Sequence, residues 1–238
     1  MAKERLDKLI ASTGRWSRRE VKTLVREDRV LVDGRIAGSA EEKYDAESCR
    51  IAVNGEELLL RRHTYVMLHK PAGVLSATED GRGRTVLDLL TPELRKIGVF
   101  PVGRLDKDTE GLLLLTDDGE LAHALLSPKK HVDKVYYARV SGRLTPEDCA
   151  AFEAGMTLGD GLECLPAGLE ILAAGEMSEC LVTLREGKFH QVKRMLAARG
   201  KPVTYLKRLS MGSLRLDDTL APGEFRLLTA AEEAQLQR

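Results

Sequence analysis

The sequence predicts an α+β protein: a small αα-β unit over residues 1–60, then a larger unit over 61–238 built on a mostly antiparallel mixed sheet with flanking helices. Three observations predict it. Apolar residues at helical spacing, followed by a short hairpin pattern, fill the first sixty positions. From Tyr65 onward, short apolar runs recur between Gly, Pro and Asp breakers, as strands do. The helical stretches between those runs are short and interspersed, which suits an antiparallel sheet with helices on its flanks.

Each element has its own signal. Leu6, Leu9 and Ile10 make one helical face, and Gly14 ends that helix. Ser17 with Glu20 three residues on is a capping box opening a second helix, with Val21, Leu24 and Val25 inward. Arg18, Arg19, Lys22 and Arg26 lie on its other side and can share one surface. Val30-Leu31-Val32, the Asp33-Gly34 turn and Arg35-Ile36 read as a hairpin. Arg50 to Val53 closes the unit before an Asn54-Gly55 turn, and residues 58–64 form the connection.

In the larger unit Tyr65 to His69 alternates, and Lys70-Pro71-Ala72-Gly73 breaks the strand. Val99 to Val102 leads into a charge-dense loop, and Leu112 to Leu115 reads as a strand buried on both faces. Asp118-Gly119 turns into a helix, Glu120 to Leu126, stopped by Ser127-Pro128. Val135 to Val140 is a strand; Pro146 to Ala154 is a helix capped by Thr145. Strands follow at Glu170 to Leu172 and Leu181 to Arg185. A helix runs from Phe189 to Arg199, closed by Gly200 and then Pro202. Val203 to Leu206 and Ser213 to Leu216 complete the sheet, and Ala230 to Leu236 is a last helix.

Composition narrows the function classes. A chain of 238 residues that is 43% hydrophobic has material for a real core. No apolar run reaches the length of a membrane span, and MAKERLDKLI lacks an apolar signal region, so no membrane association is expected and a cytoplasmic protein is. Cys49, Cys149, Cys164 and Cys180 form no Cys-x-x-Cys pair and read as reduced thiols. The five histidines have no ligand spacing, so no metal site is expected. Formal net charge is zero, yet residues 1–30 hold nine Lys/Arg against five Asp/Glu, and residues 185–215 hold nine against one. Two local basic clusters are what phosphate contacts need; two solvated helix faces would look the same.

Three segments set polar groups at the ends of elements: Gly103-Arg104-Leu105-Asp106, Lys134-Val135-Tyr136, and Glu186 to Arg194 at the start of a basic helix. A carboxylate held beside cations at the rim of a sheet is a candidate reactive group. On residue types alone Asp106 is equally a catalyst or a loop aspartate bonding to nearby amides. It could pair with Asp108 as a metal-binding Asp-x-Asp, or with Glu110 as a glycosidase carboxylate pair. Tyr136 as a plain strand aromatic and Lys193 as a solvated helix residue are the bland alternatives.

At these residues the chain resembles the RsuA-type ribosomal RNA pseudouridine synthases. HKPAGVLS (69–76), GRLDKDTEGLLLLTDDG (103–119), SPKKHVDKVY (127–136), EGKFHQVKRM (186–195) and LAPGEFRLLT (220–229) match that family's motifs in order. GRWSRREVKTLVREDRVLVDGR looks like the S-four-type RNA-binding module, assigned to 1–60, and 61–238 resembles the catalytic domain. The resemblance implies that Asp106 is the essential aspartate and Tyr136 the aromatic that stacks on the uracil. It implies that Lys193 is the cation paired with Asp106, at a place where many of the wider superfamily carry arginine. Arg104 matches the arginine that helps displace the target nucleotide, and Leu196 sits near the apolar wall position. Arg18, Arg19, Lys22, Lys188, His190, Gln191 and Arg194 are expected to touch RNA.

The implied reaction detaches uracil from ribose, rotates it and rejoins it through carbon, so no cofactor is required. The expected partner is small-subunit (16S) ribosomal RNA or an assembly particle, at a uridine of the uridine-516 class, acted on by a monomer. The alternatives are the same reaction on 23S rRNA, a non-catalytic RNA-binding assembly factor, and a metal-dependent transferase using Asp106 and Asp108.

Overall fold

The computed structural model describes residues 3–46, 48–127 and 130–236. The chain divides into two compact units. The first comprises Met1–Thr64 with two later segments, Leu90–Val99 and Thr116–Asp118; the rest forms the second.

In the first unit β1 (Glu4–Arg5) leads directly into α1 (Leu6–Ala11). α2 (Arg18–Arg26) opens on the expected capping box: the Glu20 N–H donates to Ser17 Oγ, and the Ser17 N–H donates to the Glu20 carboxylate at 2.7 Å. Val21, Leu24 and Val25 are buried with Leu6, Leu9 and Ile10, so both helices face one core. β2 (Val30–Val32) turns through Asp33-Gly34 into β3 (Arg35–Ile36). β4 (Lys43–Tyr44) pairs antiparallel with β1. β5 (Ile51–Val53) and β6 (Glu56–Leu58) complete an antiparallel sheet of order β3-β2-β5-β6. β6 occupies Leu58, where the sequence reading starts the connection. The short β1–β4 ladder carries too few apolar residues to give a strand signal.

The first unit also contains α3 (Pro92–Ile97), capped by Thr91 and not foreseen from its sequence. Gly14 explains part of that placement. Its φ is +73°, and a Cβ there would lie 2.2 Å from the carbonyl oxygen of Glu93. Only glycine permits this approach. Asp7 is fully buried beside the helices and accepts from Arg5 (2.9 and 3.1 Å) and from Arg18 (3.1 Å). Burial works against its charge, but the two guanidinium groups prevail and hold its pKa below the usual carboxylate value.

In the second unit β7 (Tyr65–Lys70) is buried at every position, not in alternation, because it lies inside the sheet with both faces covered. A 3-10 turn (Val86–Leu89) and β8 (Phe100–Pro101) precede the charge-dense loop. β9 (Glu110–Thr116) contains the four leucines, all fully buried as expected. α4 (Gly119–Leu126) follows; the Pro128 expected to stop it lies outside the described residues. β10 (Lys134–Ser141), α5 (Pro146–Ala154), β11 (Met156–Thr157), β12 (Glu163–Cys164), β13 (Gly168–Ala173) and β14 (Met177–Leu184) come next. α6 (Gln191–Ala198) begins two residues later than its apolar spacing suggests, because His190 takes a left-handed backbone (φ +48°) and caps it. β15 (Val203–Met211), β16 (Leu214–Arg215), β17 (Phe225–Leu227) and α7 (Ala230–Leu236) finish the chain.

Among the described residues nine strands make one sheet, ordered β13-β14-β10-β15-β9-β7-β17, with β16 on β15 and β8 on β9. β10 runs antiparallel to both β14 and β15, and β17 antiparallel to β7. β15 runs parallel to β9, with Arg208 opposite Gly111. The fold is thus α+β on a mixed, mostly antiparallel sheet. Leu112 and Leu114 pack with Tyr65, Met67, Met211 and the buried residues of α4 and α7. Each such leucine contributes about 1.5–3 kcal/mol on burial. β9 is therefore a fixed base for the loop that feeds it. No helix among the described residues is long and apolar enough to cross a membrane.

Candidate active site

Asp106 sits in the loop between β8 and β9, and a loop this polar needs anchors. Lys70, fully buried at the end of β7, supplies them. Its ammonium donates to the carbonyls of Pro71 (2.9 Å), Lys107 (3.3 Å) and Thr109 (2.9 Å). Ser76 adds a second tie: its hydroxyl donates to Leu105 O at 3.0 Å and accepts from Leu105 N–H at 3.1 Å. The backbone on both sides of Asp106 is therefore held from within the unit. Gly111 allows β9 to approach β15; its φ is +103°, and a Cβ there would lie 2.2 Å from Arg208 O.

Because β9 and β15 run parallel, the segments preceding them, the Asp106 loop and α6, emerge at one end of the pair. Lys193 of α6 then reaches Asp106 at 2.9 Å and Asp108 at 2.5 Å. Burial opposes the charge of Lys193, but the hydrogen bonds it donates to Asp108 and Asp106 outweigh this and raise its pKa. Lys193 correspondingly holds Asp108 below the ordinary carboxylate value. One ammonium thus bridges the two carboxylates of the Asp-x-Asp pair. Glu110, the other carboxylate considered, accepts a hydrogen bond from Tyr205 at 2.8 Å.

A recess opens over this group, lined by Arg104, Leu105, Asp106, Thr109, Tyr136, Leu184, Lys188, His190, Val192 and Leu206 among others. Tyr136 is nearly buried on β10, between Val182 of β14 and Arg208 of β15. His190 stands beside the Asp106 carboxylate: its Nε2 lies 3.4 Å from Asp106 Oδ1. The site thus offers a carboxylate, two cationic or cation-capable neighbours, an aromatic wall and apolar lining.

Several expected site residues are placed otherwise. Gln191 is 3% exposed; its amide donates to Glu186 (2.6 Å) and accepts from the Lys188 N–H (3.0 Å), so it braces the loop at the edge of the recess that it helps to line. Leu196 is fully buried in α6 and does not line the recess; Leu105, Leu184, Val192 and Leu206 form its apolar wall instead. Lys188 pairs with Glu186 at 2.9 Å, and Arg194 pairs with Asp160 at 2.5 Å. In the first unit Arg18 is spent on buried Asp7, and Lys22 reaches Glu41 at 3.4 Å. Arg104, Arg19 and Arg26 are exposed, and no ion-pair partner is seen for them among the described residues. Sequence reasoning missed Lys70, whose only signal is a lysine ending an apolar strand.

Comparison with known proteins agrees with this geometry. Residues 64–198 match the family model described as RNA pseudouridylate synthase, and residues 4–48 match the S4 domain. The chain is 50% identical over 229 residues to "Uncharacterized RNA pseudouridine synthase YtzG" of Bacillus subtilis (strain 168), covering 96% of each. It is 40% identical over 233 residues to "Ribosomal small subunit pseudouridine synthase A" of Vibrio cholerae, covering 98% of this chain and 99% of that protein. It is 38% identical over 237 residues to "Ribosomal large subunit pseudouridine synthase B" of Bacillus subtilis (strain 168), covering 98% and 96%. A solved structure titled "Crystal structure of pseudouridylate synthase" matches with a TM-score of 0.68 and 35% identity, covering 98% of this chain and 99% of that one. The family match spans more than half of the chain and includes the recess around Asp106, and the relatives span nearly all of it; the chain belongs to the RNA pseudouridylate synthase family.

Proposed function

We propose that this enzyme converts one uridine of 16S ribosomal RNA, of the uridine-516 class, to pseudouridine, with Asp106 as the reactive carboxylate. The observation that carries the reading is the Lys193 ammonium at 2.9 Å from Asp106, a carboxylate that lines one recess together with Tyr136. The reaction breaks the bond from ribose C1′ to uracil N1 and forms one from C1′ to C5. The C5 proton leaves and N1 gains one, so the product is an isomer of the substrate. An ionised carboxylate serves either as nucleophile at the sugar or as base. Lys193 sets a positive charge 2.9 Å from that carboxylate.

The uridine must leave its stack to reach Asp106, which costs a few kcal/mol, and Tyr136 recovers part of this by stacking on the uracil. Arg104, exposed at the mouth of the recess, is placed to fill the space the base vacates or to hold its phosphate. Residues 1–60 act as the RNA-docking domain and 61–238 as the catalytic domain. The enzyme works as a monomer in the cytoplasm, where its RNA substrate is assembled. The small-subunit choice is supported by the SPKKHVDKVY continuation and the Vibrio cholerae relative.

Asp106→Asn keeps size and removes the charge. Wild type and variant are incubated with unmodified 16S and 23S transcripts and with an early small-subunit particle. Pseudouridine is mapped by carbodiimide treatment and primer extension. Wild type modifies one 16S position, and Asp106→Asn binds the RNA but modifies none. Modification of 23S RNA alone would overturn the substrate, and turnover by Asp106→Asn would overturn the catalyst.

A further inference from the structure

Aromatic residues are scarce in this chain: four Phe, five Tyr and one Trp. Among them Phe189 alone is classed as exposed, at 70%. Leaving a phenyl ring in water at a site with no packing role is unfavourable, so its position matters. It adjoins the recess described above.

The loop that carries Phe189 is pinned on both sides. The Lys188 N–H donates to Gln191 Oε1 at 3.0 Å, and the Gln191 N–H donates to Lys188 O at 3.2 Å. The Gln191 amide donates to Glu186 at 2.6 Å, and the same Glu186 oxygen accepts from Leu165 N–H at 2.9 Å. The left-handed turn at His190 then lays its imidazole against the phenyl ring, with centroids 3.8 Å apart and planes at 18°. The imidazole's Nε2 lies 3.4 Å from Asp106. One face of Phe189 is therefore backed by a ring that touches the reactive carboxylate, and the rest of the ring is open. Arg104 and Lys188 lie at the same recess. An open aromatic face flanked by cations is what a single nucleic-acid strand requires: a surface for a base and charges for its backbone.

We propose that Phe189, backed by His190, is a stacking platform for a nucleobase next to the target uridine, and so helps decide which RNA strands enter productively. The proposal rests on the reading that the Asp106 recess takes the uridine. Stacking holds the neighbouring base while the target leaves the stack, and it demands a splayed, unpaired strand in place of a duplex. It adds affinity with little preference among bases, because every base has a π-face.

The test uses the full chain and an RNA fragment containing the uridine that the wild type modifies. Wild type, Phe189→Ala, Phe189→Leu and Phe189→Trp are compared for kcat/KM. Each is also assayed on RNAs with an abasic site at single positions beside the uridine. Phe189→Ala loses about 5- to 150-fold in kcat/KM, the span expected for one lost base stack. Phe189→Leu shows a similar loss, whereas Phe189→Trp stays near wild type. At one neighbouring position the abasic RNA costs the wild type as much as Phe189→Ala does, and costs Phe189→Ala nothing further. Wild-type behaviour of Phe189→Leu, or equal abasic penalties in wild type and Phe189→Ala at every position, would overturn the platform while leaving the Asp106 reading intact. No conversion by wild type would overturn the parent reading, and the platform with it. Phe189 packs into no core, so the thermal midpoint of each variant stays at the wild-type value.

Discussion

Lys70 is a lysine with no surface exposure, and two of its three acceptors, Lys107 O and Thr109 O, belong to the loop that holds Asp106. Burial pushes its pKa down to about 8, although Asp108, Asp106 and Glu110 nearby pull the other way. Only the charged form has three N–H donors for three carbonyls. Turnover should therefore fall above about pH 8 as the loop loses one tie. The stability effect has the opposite sense. The folded pKa lies below the ordinary 10.5, so between pH 8 and 10.5 the unfolded chain binds the extra proton and folding gains with rising pH. Urea unfolding checks this: the stability of wild type relative to Lys70→Met should increase across that window. A difference that does not change with pH would show that Lys70 does not titrate there. None of this was readable in the sequence, where Lys70 followed by Pro71 and Gly73 simply looked like the end of a strand. The sequence makes Asp106 legible as a candidate, and only the resemblance to a family gives it a role.

The elements were read well where a local pattern determines them. The capping box at Ser17 and the four-leucine strand depend on short-range chemistry and full burial, and both appear as expected. The reading failed where a partner distant in sequence decides. β17 forms because Phe225–Leu227 pairs with β7, and nothing within those three residues requires it. α6 starts late because the Glu186–Gln191 brace keeps Phe189 and His190 out of the helix. The β9–β15 contact belongs to this second kind. Gly111→Ala would place a methyl against Arg208 O and force a residue with φ of +103° into strain. The strain alone costs about 1–3 kcal/mol. Gly73 also has positive φ (+84°) but open space around it. In denaturant titrations Gly111→Ala should be clearly less stable than Gly73→Ala. Equal losses would mean that the strands can separate without penalty.

At the scale of the whole molecule, zero net charge conceals how the basic residues are used. Three of those expected to face RNA are paired at the surface within the protein: Arg18 with Asp7, Lys22 with Glu41, Arg194 with Asp160. Charge counting over residues 1–30 could not show this, since it sees side chains but not their partners. Arg19 and Arg26 remain available on α2. Their joint replacement by glutamine should weaken RNA binding and lower the slope of log affinity against log salt by about 1.4–1.8, two phosphate contacts' worth. Turnover at saturating RNA should stay near wild type, and an unchanged salt slope would remove them from the interface. The Arg18→Ala variant should instead lose stability, because it strips a partner from a buried carboxylate.

The parallel pairing of β9 with β15 also governs when the Lys193 ion pair can form. Asp108 and the Lys193 that neutralises it are 85 residues apart in the chain. They meet only because β15, which follows α6, docks beside β9. Contacts of such long range form late, since the loop entropy must be lost before they contribute. A chain emerging from the ribosome thus carries the aspartate loop before the lysine that pairs with it. The ion pair therefore needs the chain as far as Val203–Met211 to be in place.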